Sequence, residues 1–560
     1  MPGNSGFLER ILENIERRSE EKYCTVLSKG SATPLTWADL EGDCQAVMQA
    51  LSEIDSGVVL IFLRHSTLLH GAFFGSMMAG HIPSFMPCSS IKQDSDLYWS
   101  SHQKLLNHIQ PSAIITSSKV FGEMTEAGLD ICGASLILIE SLHSPSEKLL
   151  VPTPSKDEIA LLQHSSGTTG LKKGVALSYD AIERHAMSYS SAIGLTPKDT
   201  IVSWLPLYHD MGLMACMITP AYVATPVVHI DPFEWIGQPH LMFDAIEEHS
   251  ATFAWMPNFA FEHLALYAPR MPQIYNLSSM RAFISCAEVC KPESFDRFLV
   301  AFQSHGVTPS MLQACYAMAE TVFAITQTSI EEAPARILVD QMTLNRGDVV
   351  HRCIPSELEP NAPRYLVETG SVVDGLNIEI VDEQRTPLPD MTIGEVAISG
   401  SFLFKGYHGH PELTDKSLFE GWYLTHDLGF LDSGRLYVLG RTDDLIIVQG
   451  RNIYAHQVES LVSTINGIRP GRICAFGMFD ARVGSESIIL VCEMSQALDI
   501  EESRNLKSHI SALLQSTIEV IPKRIKFVDP GWLMKTSSGK VGRKENKIKY
   551  TREMEELNDG

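Results

Sequence analysis

A chain of 560 residues, 44% hydrophobic and 20% charged, is longer than one hydrophobic core usually serves, and this predicts two or more domains. Its 38 Gly and 29 Pro come without a fixed repeat or low-complexity tract, which excludes collagen-like, coiled-coil and disordered classes. A formal net charge of −23 opposes nucleic acid or an anionic membrane as a partner, since both need clustered Lys and Arg.

The first eighteen residues carry Glu9, Glu13 and Glu16 among their apolar positions, so they lack the uncharged core of a signal peptide. No stretch approaches eighteen uninterrupted apolar residues, so no membrane span is expected and the cytoplasm is the simplest address. Eleven Cys without a C-x-x-C pair or zinc-type spacing are expected as reduced, mostly buried thiols.

From Thr36 to Ile54, Trp37, Leu40, Cys44, Val47 and Leu51 recur at helical steps. Short apolar runs at Val58–Leu63, Ala113–Thr116, Ser135–Ile139, Ile201–Trp204 and Arg281–Ile284 read as buried strands. Alternation of the two types over about 400 residues predicts an α/β fold with mostly parallel sheets. The closely spaced runs of residues 376–439 predict a small β-rich unit. After Gly440 the pattern changes to a strand, a helix from Ala455, another strand and helix, and a basic tail. A boundary is therefore placed near Asp443, giving a domain of residues 1–440 and an α+β domain of 441–560. Ten Lys or Arg between Lys523 and Arg552, against Asp529 and Glu545, make the tail a basic island on an acidic protein.

The run "IALLQHSSGTTGLKKGVALS" places a strand-like stretch, Ile159–Leu162, before a Ser/Thr/Gly cluster. Gly167, Gly170 and Gly174 permit close backbone approach, so that successive amides can converge on anionic oxygens. Ser165, Ser166, Thr168 and Thr169 add hydroxyl donors, and Lys172 or Lys173 adds charge. The Walker pattern G-x-x-x-x-G-K-[ST] is absent, as is a G-x-G-x-x-G after a strand, which argues against a dehydrogenase.

Together with "WLPLYHDMGL" (204–213), "ACYAMAET" (314–321), "GWYLTHDLGFL" (421–431), "GRTDDLIIVQGRNIYAHQVE" (440–459) and "KTSSGKVGR" (535–543), this loop resembles the ordered signature of the adenylate-forming superfamily of AMP-dependent synthetases and ligases. The resemblance implies ATP and Mg2+ as cofactors and a carboxylic acid as substrate, with the acid converted to acyl-AMP and pyrophosphate. It assigns the nucleotide to Ser165, Ser166, Gly167, Thr168, Thr169, Gly170, Lys173, Glu288, Tyr316, Asp427 and Arg441. Tyr316 would stack on adenine, Asp427 would accept from both ribose hydroxyls, and Glu320 with Thr168 would hold Mg2+. Lys540 would bind the carboxylate oxygen and α-phosphate as pyrophosphate leaves, and His209 would lie near the substrate carboxylate. Asp443 would be the hinge on which a mobile C-terminal domain turns.

The wording of "WMPNFAFEHL" (255–264) and "LSSMRAFISCAEVCKPESFDRF" (277–298) is similar to the fatty acyl-AMP ligase branch, whose acceptor is an acyl carrier protein thiol. The 50 positions from Glu320 to Gly370 are about twice the gap usual for coenzyme A ligases of the superfamily. The resemblance implies that the excess, residues 338–368, is the branch's insertion, which would restrain the C-terminal domain. Trp255, Met256 and Phe259 are candidates for an apolar acid pocket, and Asp231 and Asp244 lack the aromatic setting of an amino-acid-binding Asp. Lys172, Ala317 and His426 depart from the usual Pro, Gly and Gly. A coenzyme A ligase of the same fold and a non-catalytic scaffold are the alternatives.

Overall fold

The computed structural model describes residues 6–89, 95–165, 173–340, 344–354, 363–448, 451–480, 485–496, 498–535 and 541–559. The chain forms two compact units. The first comprises residues 1–335, 368–378 and 398–423, and the second residues 336–367, 379–397 and 424–560. The second unit thus holds everything beyond Gly440 and also residues 338–367 of the segment expected as an insertion.

In the first unit, strands Val227–Ile230, Ile201–Ser203, Phe253–Met256, Ala282–Ser285 and Leu312–Ala317 lie side by side and parallel. Lys22–Ser28 joins this sheet parallel to Val227–Ile230, and Ala324–Gln327 joins antiparallel at the other side. A second sheet, Ile82–Phe85, Val58–Phe62, Ala113–Thr116 and Ser135–Leu138, is parallel throughout. Both faces of Val58–Phe62 and Ala113–Thr116 are buried, which is why these strands read as continuous apolar runs and not as alternation.

The helix expected from Thr36 spans Trp37–Leu51, and Thr36 caps it: its Oγ1 accepts from the Asp39 amide while the Asp39 carboxylate accepts from the Thr36 amide. The apolar N-terminal positions form the inner face of helix Phe7–Arg17, where Phe7, Leu8, Ile11 and Ile15 are buried. Asn14 on that face donates to the Ala221 carbonyl. All eleven cysteines are free thiols, eight of them buried. Among the described residues no helix is long and apolar enough to cross a membrane.

In the second unit, Arg336–Asp340 pairs antiparallel with Pro363–Val367. Ile337, Val339, Leu344, Val350 and Leu366 from this segment share one buried cluster with Leu428, Phe430, Tyr437, Leu439 and Tyr454. Beyond Gly440 come strands Leu445–Val448 and Arg451–Tyr454, helix Ala455–Ser463, the sheet Ile468–Asp480, Ser485–Met494 and Arg524–Val528, and helices Ile500–Ile518 and Arg543–Asp559. The expected strand, helix, strand and helix occur in that order, but with added strands Arg451–Tyr454 and Ser485–Met494, and the basic tail holds strand Arg524–Val528 before its helix. Much of the basic island is engaged internally: Lys523 pairs with Asp480, Lys526 with Glu553, and Lys549 donates to the Trp532 carbonyl.

Three imidazoles in the first unit are sealed from water. His70 bonds through Nδ1 to the Tyr23 hydroxyl, His185 Nε2 accepts from the Ala324 amide, and His229 Nε2 has no partner among the described residues. Burial pushes His70 and His185 down to about 3 and His229 well below its usual range. Unfolded imidazoles take up protons below about 6.5, whereas these stay neutral while folded. The unfolded chain therefore binds more protons in that window, and the stability present above pH 6.5 is lost as pH falls toward 3. Each histidine is expected to remove about 1.4 kcal/mol per pH unit below 6.5. Thermal unfolding followed from pH 7 to 5.5 should show a steep fall in midpoint; a flat profile would contradict it.

Candidate active site

Strands Ile159–Ser165 and Lys173–Ser178 pair antiparallel, with Ser165 opposite Lys173. The pair therefore sets both roots of the expected phosphate loop side by side. Ser166, Gly167, Thr168, Thr169, Gly170 and Lys172 lie outside the described residues, as does Lys540.

Lys173 Nζ sits 4.9 Å from the centroid of the Tyr407 ring, a cation–π contact. Tyr407 OH donates to Glu320 Oε1 at 2.7 Å and lies 3.4 Å from Tyr423 OH. Burial, and then the Glu320 charge, push the Tyr407 phenol up, so it stays a donor. Lysine, phenol and carboxylate are thus linked in one short path. Tyr407 was not identified from sequence; its only signal is its place in "KGYHGHPEL", on a two-residue strand paired with Val175 and Ala176.

Tyr316 is buried on strand Leu312–Ala317, at a register shift between Tyr316 and Ala317. The strand ends there, and a 3-10 turn, Ala319–Thr321, carries Glu320. Val322 follows at φ 66°, ψ −59°, and the Phe323 amide donates to the Thr321 carbonyl at 2.7 Å. This is a γ-turn of positive φ, a strained conformation for a β-branched residue, and such strain clusters at functional sites. Among the described residues no group of three His, Cys, Asp or Glu could hold a metal ion. Glu320 alone still fits Mg2+, which is commonly bound by one or two carboxylates together with substrate phosphates.

His209 Nδ1 lies 2.5 Å from Asp210 Oδ1. The two residues precede a π-helix, Met211–Ile218, a form found mostly at functional sites. Gly212 permits this turn, since a Cβ there would stand 2.4 Å from the Pro206 carbonyl oxygen. Trp255 and Met256 are fully buried on a central strand, and Trp255 Nε1 donates to Tyr189 OH at 2.8 Å. Phe259 is half-buried; its ring packs edge-on to Trp204 and its amide donates to Glu288 Oε2 at 3.0 Å. Glu288 therefore anchors the start of helix Asn258–Tyr267.

In the second unit, Asp427 and Arg441 stand directly opposite on strands Trp422–Asp432 and Arg435–Arg441, with Arg441 Nε 3.4 Å from Asp427 Oδ1. Thr425 Oγ1 accepts from the Asp427 amide, which fixes the backbone of this buried residue. His426 has φ 59°, which explains why glycine is usual at that position. Here Glu395 Oε1 accepts from the His426 amide at 3.0 Å and lies 3.4 Å from its Nδ1, so one carboxylate holds the left-handed residue. Asp443 is exposed in the 3-10 turn Thr442–Asp444 between two strands.

Next to it, Asp444 and Glu459 clamp Arg543. Nη1 donates to Asp444 Oδ2 at 2.6 Å, Nη2 to Glu459 Oε2 at 2.7 Å and Nε to Glu459 Oε1 at 3.0 Å. Burial alone would lower the guanidinium pKa; Glu459 and Asp444 more than offset it, and the net shift is upward.

The first unit thus combines a parallel-sheet α/β core with a lysine–tyrosine–glutamate path at the strand Lys173–Ser178. The AMP-binding enzyme family matches residues 12–408, and the chain belongs to that family. It is 26% identical over 570 residues to the long-chain-fatty-acid–AMP ligase FadD26 of Mycobacterium marinum, covering 95% of each chain. It is 27% identical over 578 residues to the long-chain-fatty-acid–AMP ligase FadD32 of Mycolicibacterium smegmatis, covering 93% of this chain and 89% of the relative. A structure from work on fatty acyl-adenylate ligases of E. coli and L. pneumophila superposes with TM-score 0.86 at 26% identity, covering 98% of both chains. The McyG A-PCP structure with phenylalanyl-adenylate gives 0.87 at 23% identity, covering all of this chain and 85% of that one, and shares the fold. The chain is an adenylating ligase that activates an acid as its acyl-AMP with ATP.

Proposed function

We propose that the acid is a fatty acid and that the acyl group passes from AMP to the phosphopantetheine thiol of an acyl carrier protein. The observation that carries the choice of acceptor is the buried cluster shared by the inserted strands and Tyr454. Tyr454 belongs to the segment beyond Asp443, so apolar packing ties the insertion to the part expected to move. Such packing resists the rotation that a coenzyme A reaction needs. The names of the relatives, long-chain-fatty-acid–AMP ligases, support the same reading.

In this reading Tyr316 stacks on adenine, Asp427 accepts from the ribose hydroxyls, and Arg441 opposite it meets ribose or phosphate. The loop from Ser165 to Gly174, with Lys173, receives the β- and γ-phosphates. Glu320 and Thr168 would hold Mg2+, which would neutralise phosphate charge. The substrate carboxylate, near His209, attacks the α-phosphorus in line; the bond to the pyrophosphate oxygen breaks as Lys540 meets both charged groups. Catalysis is positioning plus charge neutralisation. Asp443 is the pivot of the later step, and Glu288 acts at the nucleotide side by fixing the helix that starts at Asn258.

An amino-acid substrate is disfavoured because both acidic candidates have structural work. Asp231 accepts from the Phe233 and Glu234 amides as a helix cap, and Asp244 accepts from Tyr275 OH. Trp255, Met256 and Phe259 are kept as pocket candidates, with Phe259 the most accessible.

The test supplies preformed acyl-AMP with holo carrier protein or coenzyme A and weighs the products. The carrier should be acylated and coenzyme A left unused, while trimming within residues 341–362 should raise coenzyme A ligation at least about tenfold, the scale of a released conformational restraint. Efficient coenzyme A ligation by the intact chain would make it a coenzyme A ligase instead.

A further inference from the structure

The turn after Tyr407 carries two histidines, and a third reaches it from another element. His108, in the last turn of helix Ser95–Ile109, stacks on His410 with centroids 4.2 Å apart and planes 16° from parallel. Gly409 makes the approach possible: its φ is 72°, and a Cβ there would stand 2.5 Å from His108 Nε2. The His408 amide donates to the Gly174 carbonyl at 2.8 Å, so this turn is fastened to the strand leaving the phosphate loop. All three imidazoles are half-buried.

The charges that act on His408 and His410 are cationic. Burial, and then His108, lower His410 and His408; Lys173 acts in the same direction on His410, and His410 on His408. Lys104 shares the helix of His108, and His164 Nε2 stands 3.2 Å from where a Cβ on Gly174 would lie. The nearby acids are engaged: Glu320 accepts from Tyr407, and Asp157 pairs with Lys405. Glu412, two residues beyond His410, opens helix Pro411–Ser417 as an exposed first-turn acid. Among the described residues, histidine–carboxylate pairs occur at His209, His240, His249 and His426 and at none of these three.

We propose that His108, His408 and His410, with Lys173, form a proton-linked subsite for an inorganic polyphosphate anion, the pyrophosphate that adenylation releases. The proposal rests on the adenylate-forming reading for the identity of its anion. With the site empty, partial burial and the neighbouring cations disfavour the charged forms of His408 and His410. An arriving polyanion offsets that repulsion, and protons from solvent add to the ring nitrogens as it binds. Pyrophosphate is therefore held more tightly as pH falls and released more readily as pH rises.

Calorimetry of pyrophosphate binding to the full chain, in buffers of different ionisation enthalpy from pH 6.0 to 8.0, reads the protons directly. Wild type should take up roughly half to one proton more per pyrophosphate than His108→Asn/His410→Asn. Its affinity should gain roughly threefold to tenfold more than the variant's between pH 7.5 and 6.5. His410→Asn alone, checked for an unchanged unfolding midpoint, should lose part of the uptake. Equal uptake and equal pH slopes in all three proteins, or no pyrophosphate binding, would overturn the subsite. Calorimetry needs no turnover, so a chain that makes acyl-AMP yet shows equal slopes refutes the subsite alone. Failure to adenylate any acid refutes the reading beneath it.

Discussion

Replacing Lys540 by Ala is expected to lower the rate of acyl-AMP formation by about a hundredfold or more, the scale of losing one preorganised electrostatic donor. The α-phosphate and the substrate carboxylate both carry negative charge, and the barrier includes bringing them together. A mobile ammonium that meets both only as pyrophosphate departs acts on the transition state and not on ground-state ATP. The loss should therefore fall on kcat, with the KM for ATP changed by less than about threefold. Rapid-quench measurement of acyl-AMP separates the two; a variant of full rate would remove Lys540 from the chemistry.

Replacing Arg543 by Ala should destabilise the second unit by about 3 kcal/mol, toward the lower end of the cost of breaking a buried ion pair. The side chain is 24% exposed, so the penalty is moderated. Three hydrogen bonds to Asp444 and Glu459 are lost, and both carboxylates are left facing each other. The Glu459 carboxylate also accepts from the Ala475 amide, so the damage extends to strand Ile468–Asp480. Hydrogen exchange of that strand and of helix Ala455–Ser463 should speed up by roughly a hundredfold, the fold-change equivalent of about 3 kcal/mol. Arg543→Met with Glu459→Met should recover much of the loss; no recovery, or unchanged exchange, would show that the clamp does not hold the unit.

Local pattern made the elements legible, and distance in the chain limited what could be read of the site. The Trp37–Leu51 helix follows from apolar spacing and a capping pair three residues apart, and the strand at 58–62 from an unbroken apolar run. The motif residues Tyr316, Glu320, Asp427 and Arg441 are candidates from sequence because each belongs to a short segment, and the antiparallel register sets Asp427 opposite Arg441. The Arg543 clamp joins residues 84 and 99 positions apart, and Tyr407 reaches Glu320 across 87. No local periodicity encodes such pairs; packing fixes them. Likewise, "THDLG" marks a departure at His426, but only the left-handed backbone and Glu395 explain how a side chain is accommodated there.

The most direct measurement is incubation of the purified chain with ATP, Mg2+ and single fatty acids of increasing length, with acyl-AMP and pyrophosphate weighed and counted before any thiol is added. One or more acids should give acyl-AMP and pyrophosphate in equal amounts, and no product should form without acid. Pyrophosphate released independently of acid, or no acyl-AMP from any fatty acid, would contradict fatty-acid activation by this chain.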